Sequence, residues 1–287
     1  MKTFDFIKSE PITKGWSKDK KYCVTNRDGT KYLFRISPIE QYEKKKTLFE
    51  MLEKVAKLDI PMCRPIEFGV CADGVYLLQT WIEGFDADDT ISLLSKEEQY
   101  AYGLKAGEIL KKIHTIPAPK SQEEWSSRFN KKTDRRIEGY KNSSVKYDGG
   151  EKFIEYINAN RHLLNDRPQC FQHGDYHIGN MMIEDEQLAI IDFDRFDFGD
   201  PWEEFNRIVW CAQVSHLFAC GMVNGYFNGK PPLEFWKLLA LYIASNTVAS
   251  ISWGNSGQSD LQTMLKQAQS VYVWYEGMET LVPKWYS

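Results

Sequence analysis

His173-Gly174-Asp175-Tyr176-His177-Ile178-Gly179-Asn180, followed after a hairpin-like stretch by Ile191-Asp192-Phe193-Asp194, decides how this chain is read. Asp175 and Asn180 stand five residues apart, close enough for one loop to aim both at a shared space. Met181 to Ile183 and Leu188 to Ile191 read as two strands about a turn at Glu184 to Gln187. The chain therefore doubles back and returns Asp192 to Asn180. Asp192 ends an apolar strand, where a carboxylate needs a reason. Oxygen-bearing side chains so arranged suit Mg²⁺, a hard cation held by one or two carboxylates together with phosphate oxygens. Phosphoryl transfer asks little more of a protein than such ligands and a base or orienter beside the acceptor hydroxyl.

Before this stretch the chain changes character once. Short segments rich in aromatic and β-branched residues read as strands: Phe4 to Ile7, Tyr22 to Thr25, Lys31 to Ile36, Ile66 to Val70 and Val75 to Gln79. One helical pattern interrupts them, Ile39 to Leu58, with Leu48, Met51, Leu52 and Val55 at helical spacing and Pro61 beyond its end. After Trp81-Ile82-Glu83-Gly84 the patterns turn helical. Ser95 and Glu98 form a capping box ahead of Ala106, Ile109, Leu110 and Ile113. Lys120 to Gly150 is polar and reads as loosely ordered. Glu151 to Leu164, Trp202 to Leu217, Leu233 to Val248 and Asp260 to Leu281 read as further helices.

The 287 residues are 43% hydrophobic, enough for a sizeable core, and carry a formal net charge of −4, which argues against nucleic acid as a partner. The start, MKTFDFIKSE, lacks the apolar run of a signal peptide. No run is long enough to span a membrane. Cys23, Cys63, Cys71, Cys170, Cys211 and Cys220 form no C-x-x-C pair, so reduced thiols in a cytoplasmic protein are expected.

The order H-G-D-x-H-x-G-N and then I-D-F-D resembles the aminoglycoside phosphotransferase and choline kinase superfamily, and the likeness extends over most of the chain. Gly15 to Tyr22 is similar to that family's nucleotide loop, Leu77 to Gly84 to its hinge, and Gly199-Asp200-Pro201 follows the metal loop. The resemblance implies an α+β, bilobal, protein-kinase-like fold. A small five-stranded antiparallel N-lobe with one helix (1–80) would precede a hinge (81–86) and a larger, mainly helical C-lobe (87–287). It also implies roles. Asp175 would be the catalytic base, Asn180 and Asp192 would hold Mg²⁺, and Ser17 and Arg35 would meet the phosphates of ATP or GTP. Thr80, Trp81 and Ile82 would hold the base, and His173 would support the loop. Arg35 stands where the family carries Lys, with Glu50 as its expected helix partner and Glu43 second. The acceptor would be a small hydroxylated molecule, cationic or neutral, an aminoglycoside first, with choline-like, macrolide and sugar-like acceptors open.

Three other readings compete: a nucleotide-binding module that has lost catalysis, a protein kinase acting on polypeptides, against which stand the early Asp200-Pro201 and the lack of an A-P-E element, and a metallohydrolase. His173, Asp175 and His177 alternate, and on a strand they could bind Zn²⁺ as a metallohydrolase would. Glu203, Glu204 and Glu276 could attract a cation, although a solvated helix face is the plainer reading. Asp194 is expected in a salt bridge. Trp274, Tyr275, Trp285 and Tyr286 are expected to pack a core.

Overall fold

The computed structural model describes residues 5–13, 19–255 and 261–286, the side chains of 251–255 excepted. The chain forms two compact units. One holds the residues up to Ala87 together with Asn180–Asp194; the other holds Asp88–Gly179 and the residues from Arg195 onward. The stretch that decides the fold is thus divided, with Asp175 in the second unit and Asn180 and Asp192 in the first.

In the first unit, strands β1 (Lys8–Pro11), β2 (Lys20–Thr25), β3 (Lys31–Ser37), β4 (Pro65–Cys71) and β5 (Gly74–Thr80) form one antiparallel sheet in the order β1-β2-β3-β5-β4. Helix α1 (Tyr42–Ala56) lies between β3 and β4 in the chain, so five strands and one helix stand as the sequence implied. The first strand falls later than its apolar run. Phe6 sits outside the ladder and packs edge-on against Phe34, ring centroids 5.6 Å apart. Alternation along β3 sends Phe34 and Ile36 to a core with Val24, Tyr76 and Leu78. Arg35 and Ser37 therefore point to the opposite face. On α1 the buried stripe is Lys45, Leu48, Met51, Leu52 and Val55. Each apolar member contributes about 1.5–3 kcal/mol, whereas the buried lysine needs a partner.

A second sheet of this unit pairs β6 (Phe85–Asp86), β8 (Met181–Glu184) and β9 (Gln187–Ile190). Asp185 and Glu186 both take positive φ, the twist that a two-residue hairpin turn requires. The hairpin is anchored by Ile190 N–H donating to the Pro61 carbonyl at 3.0 Å. Ala189 also packs on Cys63 and Ile82.

The second unit is mainly helical. Its elements are α2 (Ala87–Thr90, beginning at the boundary), α3 (Lys96–Ile113), α4 (Trp125–Asn142), α5 (Gly150–Asn160), α6 (Ile208–Val214), α7 (His216–Phe227), α8 (Leu233–Asn255) and α9 (Leu261–Trp274). Strands β7 (Cys170–Gln172) and β10 (Asp197–Gly199) pair antiparallel beside them. The Ser95–Glu98 capping box is complete. Helices α3 and α7 meet backbone to backbone: Gly103 and Gly107 face Gly221 and Gly225, and a methyl at Gly103 would sit 2.9 Å from the Gly221 Cα.

Two expectations fail here. Lys120 to Gly150 is not loose, since it contains α4, whose buried stripe is Trp125, Phe129, Thr133, Ile137 and Tyr140. This narrow stripe packs on Leu238, Leu241 and Tyr242, and Trp125 Nε1 donates to the Tyr242 hydroxyl at 3.0 Å. The helix pattern after Trp202 breaks at Ser215, whose hydroxyl accepts from Phe218 N–H and starts α7 anew. Trp285 and Tyr275 are buried, as a packing role requires. No described helix is long and apolar enough to cross a membrane.

Candidate active site

The first unit gathers a buried ion cluster on the face of β3 that carries Arg35. Its guanidinium donates through Nη1 to Asp192 Oδ1 at 3.1 Å and through Nη2 to Asp19 Oδ2 at 3.1 Å, with Asp194 a further acceptor. Lys45 Nζ donates to Asp19 Oδ2 at 2.7 Å and to Asp194 Oδ1 at 3.0 Å. Ser37 Oγ donates to Asp19 Oδ1 at 2.8 Å. Burial works against the Asp19 carboxylate, but Lys45, Ser37 and Arg35 overcome it and hold its pKa at about 2. Burial would lower Arg35 as well; the charges of Asp194, Asp192 and Asp19 outweigh it and push the group upward.

The expected partner of Arg35 is therefore corrected. Glu50 and Glu43 are exposed, and the inward position on α1 belongs to Lys45. Helix and strand each present a cation here, and Asp19 bridges them as the shared anion. Lys45 stands three residues before Leu48 and seven before Leu52, on their stripe, but its charge marks it for solvent rather than for the buried face. Asp194 forms the salt bridges expected of it. Ser17 lies outside the described residues.

Asn180 and Asp192 bracket the β8–β9 hairpin. Ile191 N–H donates to the Asn180 carbonyl at 3.0 Å, so the two ends lie side by side. Asp192 adopts a left-handed conformation, φ 64°, which turns the chain out of the strand. One carboxylate and one amide oxygen make a donor set that suits Mg²⁺ completed by phosphate and water oxygens. Nearby, a cavity of about 290 Å³ is lined by Met62, Thr80, Trp81, Ile82 and Ala189, with Arg64 and Glu184 at its charged edge. Thr80 is fixed at both ends: its N–H donates to the Arg64 carbonyl at 2.9 Å, and its hydroxyl accepts from Arg64 N–H at 2.8 Å.

In the second unit the loop after β7 holds Asp175. Gly174 takes φ 83°, and a side chain there would collide with the Arg195 carbonyl. Its N–H donates to Glu204 Oε1 at 2.8 Å. Glu204 and Glu203 are buried, correcting their reading as a solvated face. His173 is fully buried, and its Nδ1 accepts from Asp175 N–H at 3.2 Å, which is support for the loop. Tyr176 ties the loop to α3 through its hydroxyl, donating to the Ala106 carbonyl at 2.7 Å. Asp200 is buried and satisfied by Arg167, Trp202 N–H and the Tyr242 hydroxyl, which makes it an anchor for the segment. The Asp175 carboxylate lies 3.3 Å from Arg207 Nε, 3.8 Å from Arg195 Nη1 and 3.8 Å from His177 Nε2. Arg207 escaped the sequence reading because nothing in its local spacing marks it, and Glu204 was singled out only for its charge, not as a support of the loop. Among the described residues no three His, Cys, Asp or Glu side chains converge as a metal site. The zinc reading thereby loses its geometry.

Burial lowers His177 from an ordinary 6.5 to about 4, against the pull of Asp175 and helped by Arg207, His173 and Arg195. Because the folded pKa lies below the unfolded one, the neutral ring's contribution to stability is full above pH 6.5 and is lost as the pH falls to about 4. We expect melting temperature to drop across that window by the equivalent of roughly 1–3 kcal/mol. A His177→Gln chain should lose much of the slope, and equal slopes in the two proteins would refute the assignment.

A model of the phosphotransferase enzyme family matches residues 8–236. A comparison with curated proteins found no match. Among solved structures, the gentamicin complex of APH(2'')-IIa is 18% identical with a TM-score of 0.65, covering 96% of this chain and 94% of its own. A choline/ethanolamine kinase family protein from Mesorhizobium loti is 15% identical with a TM-score of 0.65, covering 96% and 91%. A thermostable mutant of APH(4)-Ia, in ternary complex with AMP-PNP and hygromycin B, is 14% identical with a TM-score of 0.66, covering 93% of each chain. At these identities the likeness is one of fold, the protein-kinase-like fold.

Proposed function

We propose a function from one premise: the chain belongs to the phosphotransferase enzyme family. It transfers the γ-phosphoryl group of ATP or GTP to a hydroxyl of a small molecule, with Mg²⁺. The observation that supports this most is the pairing of Asn180 and Asp192 at one end of the hairpin, beside the buried cations Arg35 and Lys45. Asn180 and Asp192 would hold the metal, which when bound neutralises phosphate charge. Arg35, with Lys45 behind it, meets the phosphates. The cavity at Thr80, Trp81 and Ile82 takes the base. Asp175, steadied by Arg207, orients the acceptor hydroxyl and accepts its proton. The names of the neighbours, which bind gentamicin and hygromycin B or belong to a choline/ethanolamine kinase family, support a hydroxylated amine such as an aminoglycoside as one acceptor class.

The test is turnover of ATP and of GTP across a panel of hydroxylated amines, antibiotics and sugars. Phosphorylated product should form with Mg²⁺, vanish on chelation with EDTA and return when Mg²⁺ is restored. Turnover indifferent to chelation would sink the metal assignment. Failure to bind either nucleotide would sink the function.

A further inference from the structure

Helix α4 carries Arg128, Lys132 and Arg136 four residues apart, hence on one side. Each precedes a buried position, Phe129, Thr133 and Ile137, and so runs half-buried along the edge of the seam with α8. Like charges at this spacing repel. Two of them are answered. Arg128 Nη2 lies 3.1 Å from Asp197 Oδ2, and Lys132 Nζ lies 3.7 Å from Glu203 Oε1.

Arg136 is not answered. Its Nη1 donates to the neutral Ser245 hydroxyl at 3.0 Å, and no described carboxylate lies within ion-pair distance of it. Burial lowers its pKa to about 10; Glu203 opposes that fall, and Arg207 and Arg135 deepen it. Arg207 in turn holds the Asp175 carboxylate. All these residues belong to the second unit. The row therefore carries a surplus of one positive charge, at Arg136, one helical turn from Lys132, whose partner Glu203 adjoins the Glu204 that holds Gly174 of the Asp175 loop. A polycationic acceptor would add to that surplus. A guanidinium short of a partner matches a carboxylate or a phosphate, whose oxygens accept its paired N–H donors.

We propose, resting on the phosphotransferase reading, that the acceptor carries a carboxylate or phosphate group besides its hydroxyl, and that Arg136, with Lys132, binds it.

The test uses matched probes on the full chain: glycerate against glycerol, ribose 5-phosphate against ribose, and choline and kanamycin as cationic alcohols. In thermal melting without nucleotide, the acid-bearing probes should stabilise the protein more than their neutral or cationic counterparts. Arg136→Met keeps the packing of the stem and should abolish that shift, while Arg136→Lys should keep part of it. In turnover, Arg136→Met should raise the KM of an acid-bearing acceptor at least about tenfold with the nucleotide KM unmoved. A larger shift with kanamycin or choline than with any acid, or an acid effect that survives in Arg136→Met, overturns the proposal. The two readings fail separately. Acids bound through Arg136 without any turnover of nucleotide would sink the enzyme and spare the anion site. Phosphorylation of kanamycin with an unchanged KM in Arg136→Met would do the reverse.

Discussion

Asp175→Asn is expected to cut phosphoryl transfer by about 10²–10⁴-fold, the usual scale of a lost general base, while Mg²⁺-nucleotide affinity stays within a few-fold. The amide keeps the shape of the side chain and can still meet Arg207, 3.3 Å from the carboxylate now. It cannot accept a proton. His173 and Glu204 hold the loop through backbone N–H groups, which the substitution leaves alone. Single-turnover kinetics beside nucleotide titration would separate the two effects. Retained turnover would show that the acceptor hydroxyl is activated elsewhere, and parallel loss of binding would show that Asp175 serves the nucleotide.

Arg35→Met should weaken nucleotide binding at least about tenfold and also destabilise the chain without nucleotide. The reason lies in what remains. Asp19 and Asp194 would keep Lys45, but Asp192 would lose its arginine, and the buried carboxylates would outnumber the one cation left. Breaking a buried pair by removing one partner costs about 3–5 kcal/mol, several degrees of melting temperature in a protein of this size. Arg35→Lys restores one charge but not the fork that reaches three carboxylates at once, so it should fall between. A melting temperature within a degree or so of wild type for Arg35→Met would show that the cluster is solvated and cheap to break.

Much of this was legible in the sequence, and the exceptions share a cause. Strands β2 to β5, α1, the capping box and the Asn180–Asp192 hairpin each follow from local pattern (alternation, a helical stripe, a cap, a turn between two apolar runs), whereas β1 falls at Lys8–Pro11, just after the apolar run expected to form it. The α4 stripe did not stand out because Trp125, Phe129 and Ile137 are spaced through a polar, basic segment, and a seam one residue wide buries a helix whose composition looks like a loop. Lys45 and Asp19 lie 26 residues apart and meet over the face of β3 that carries Arg35 and Ser37, both of which also donate to Asp19. Sequence rules for a strand cation looked for a glutamate on the helix, whereas this chain moved the carboxylate to the segment ahead of β2. Glu203 and Glu204 look solvated from their charge alone. Their burial follows from Gly174 N–H and Gln172, partners that no local window contains.

The glycine seam between α3 and α7 bears on how this scaffold could be re-engineered. Two helices that touch through bare backbone have no side chains to trade, so any randomised codon at Gly103, Gly107, Gly221 or Gly225 mostly yields unfolded clones. Through Tyr176 and Ala106 the same seam sets the height of the loop bearing Asp175. A mutant library aimed at new acceptors therefore holds those four glycines fixed.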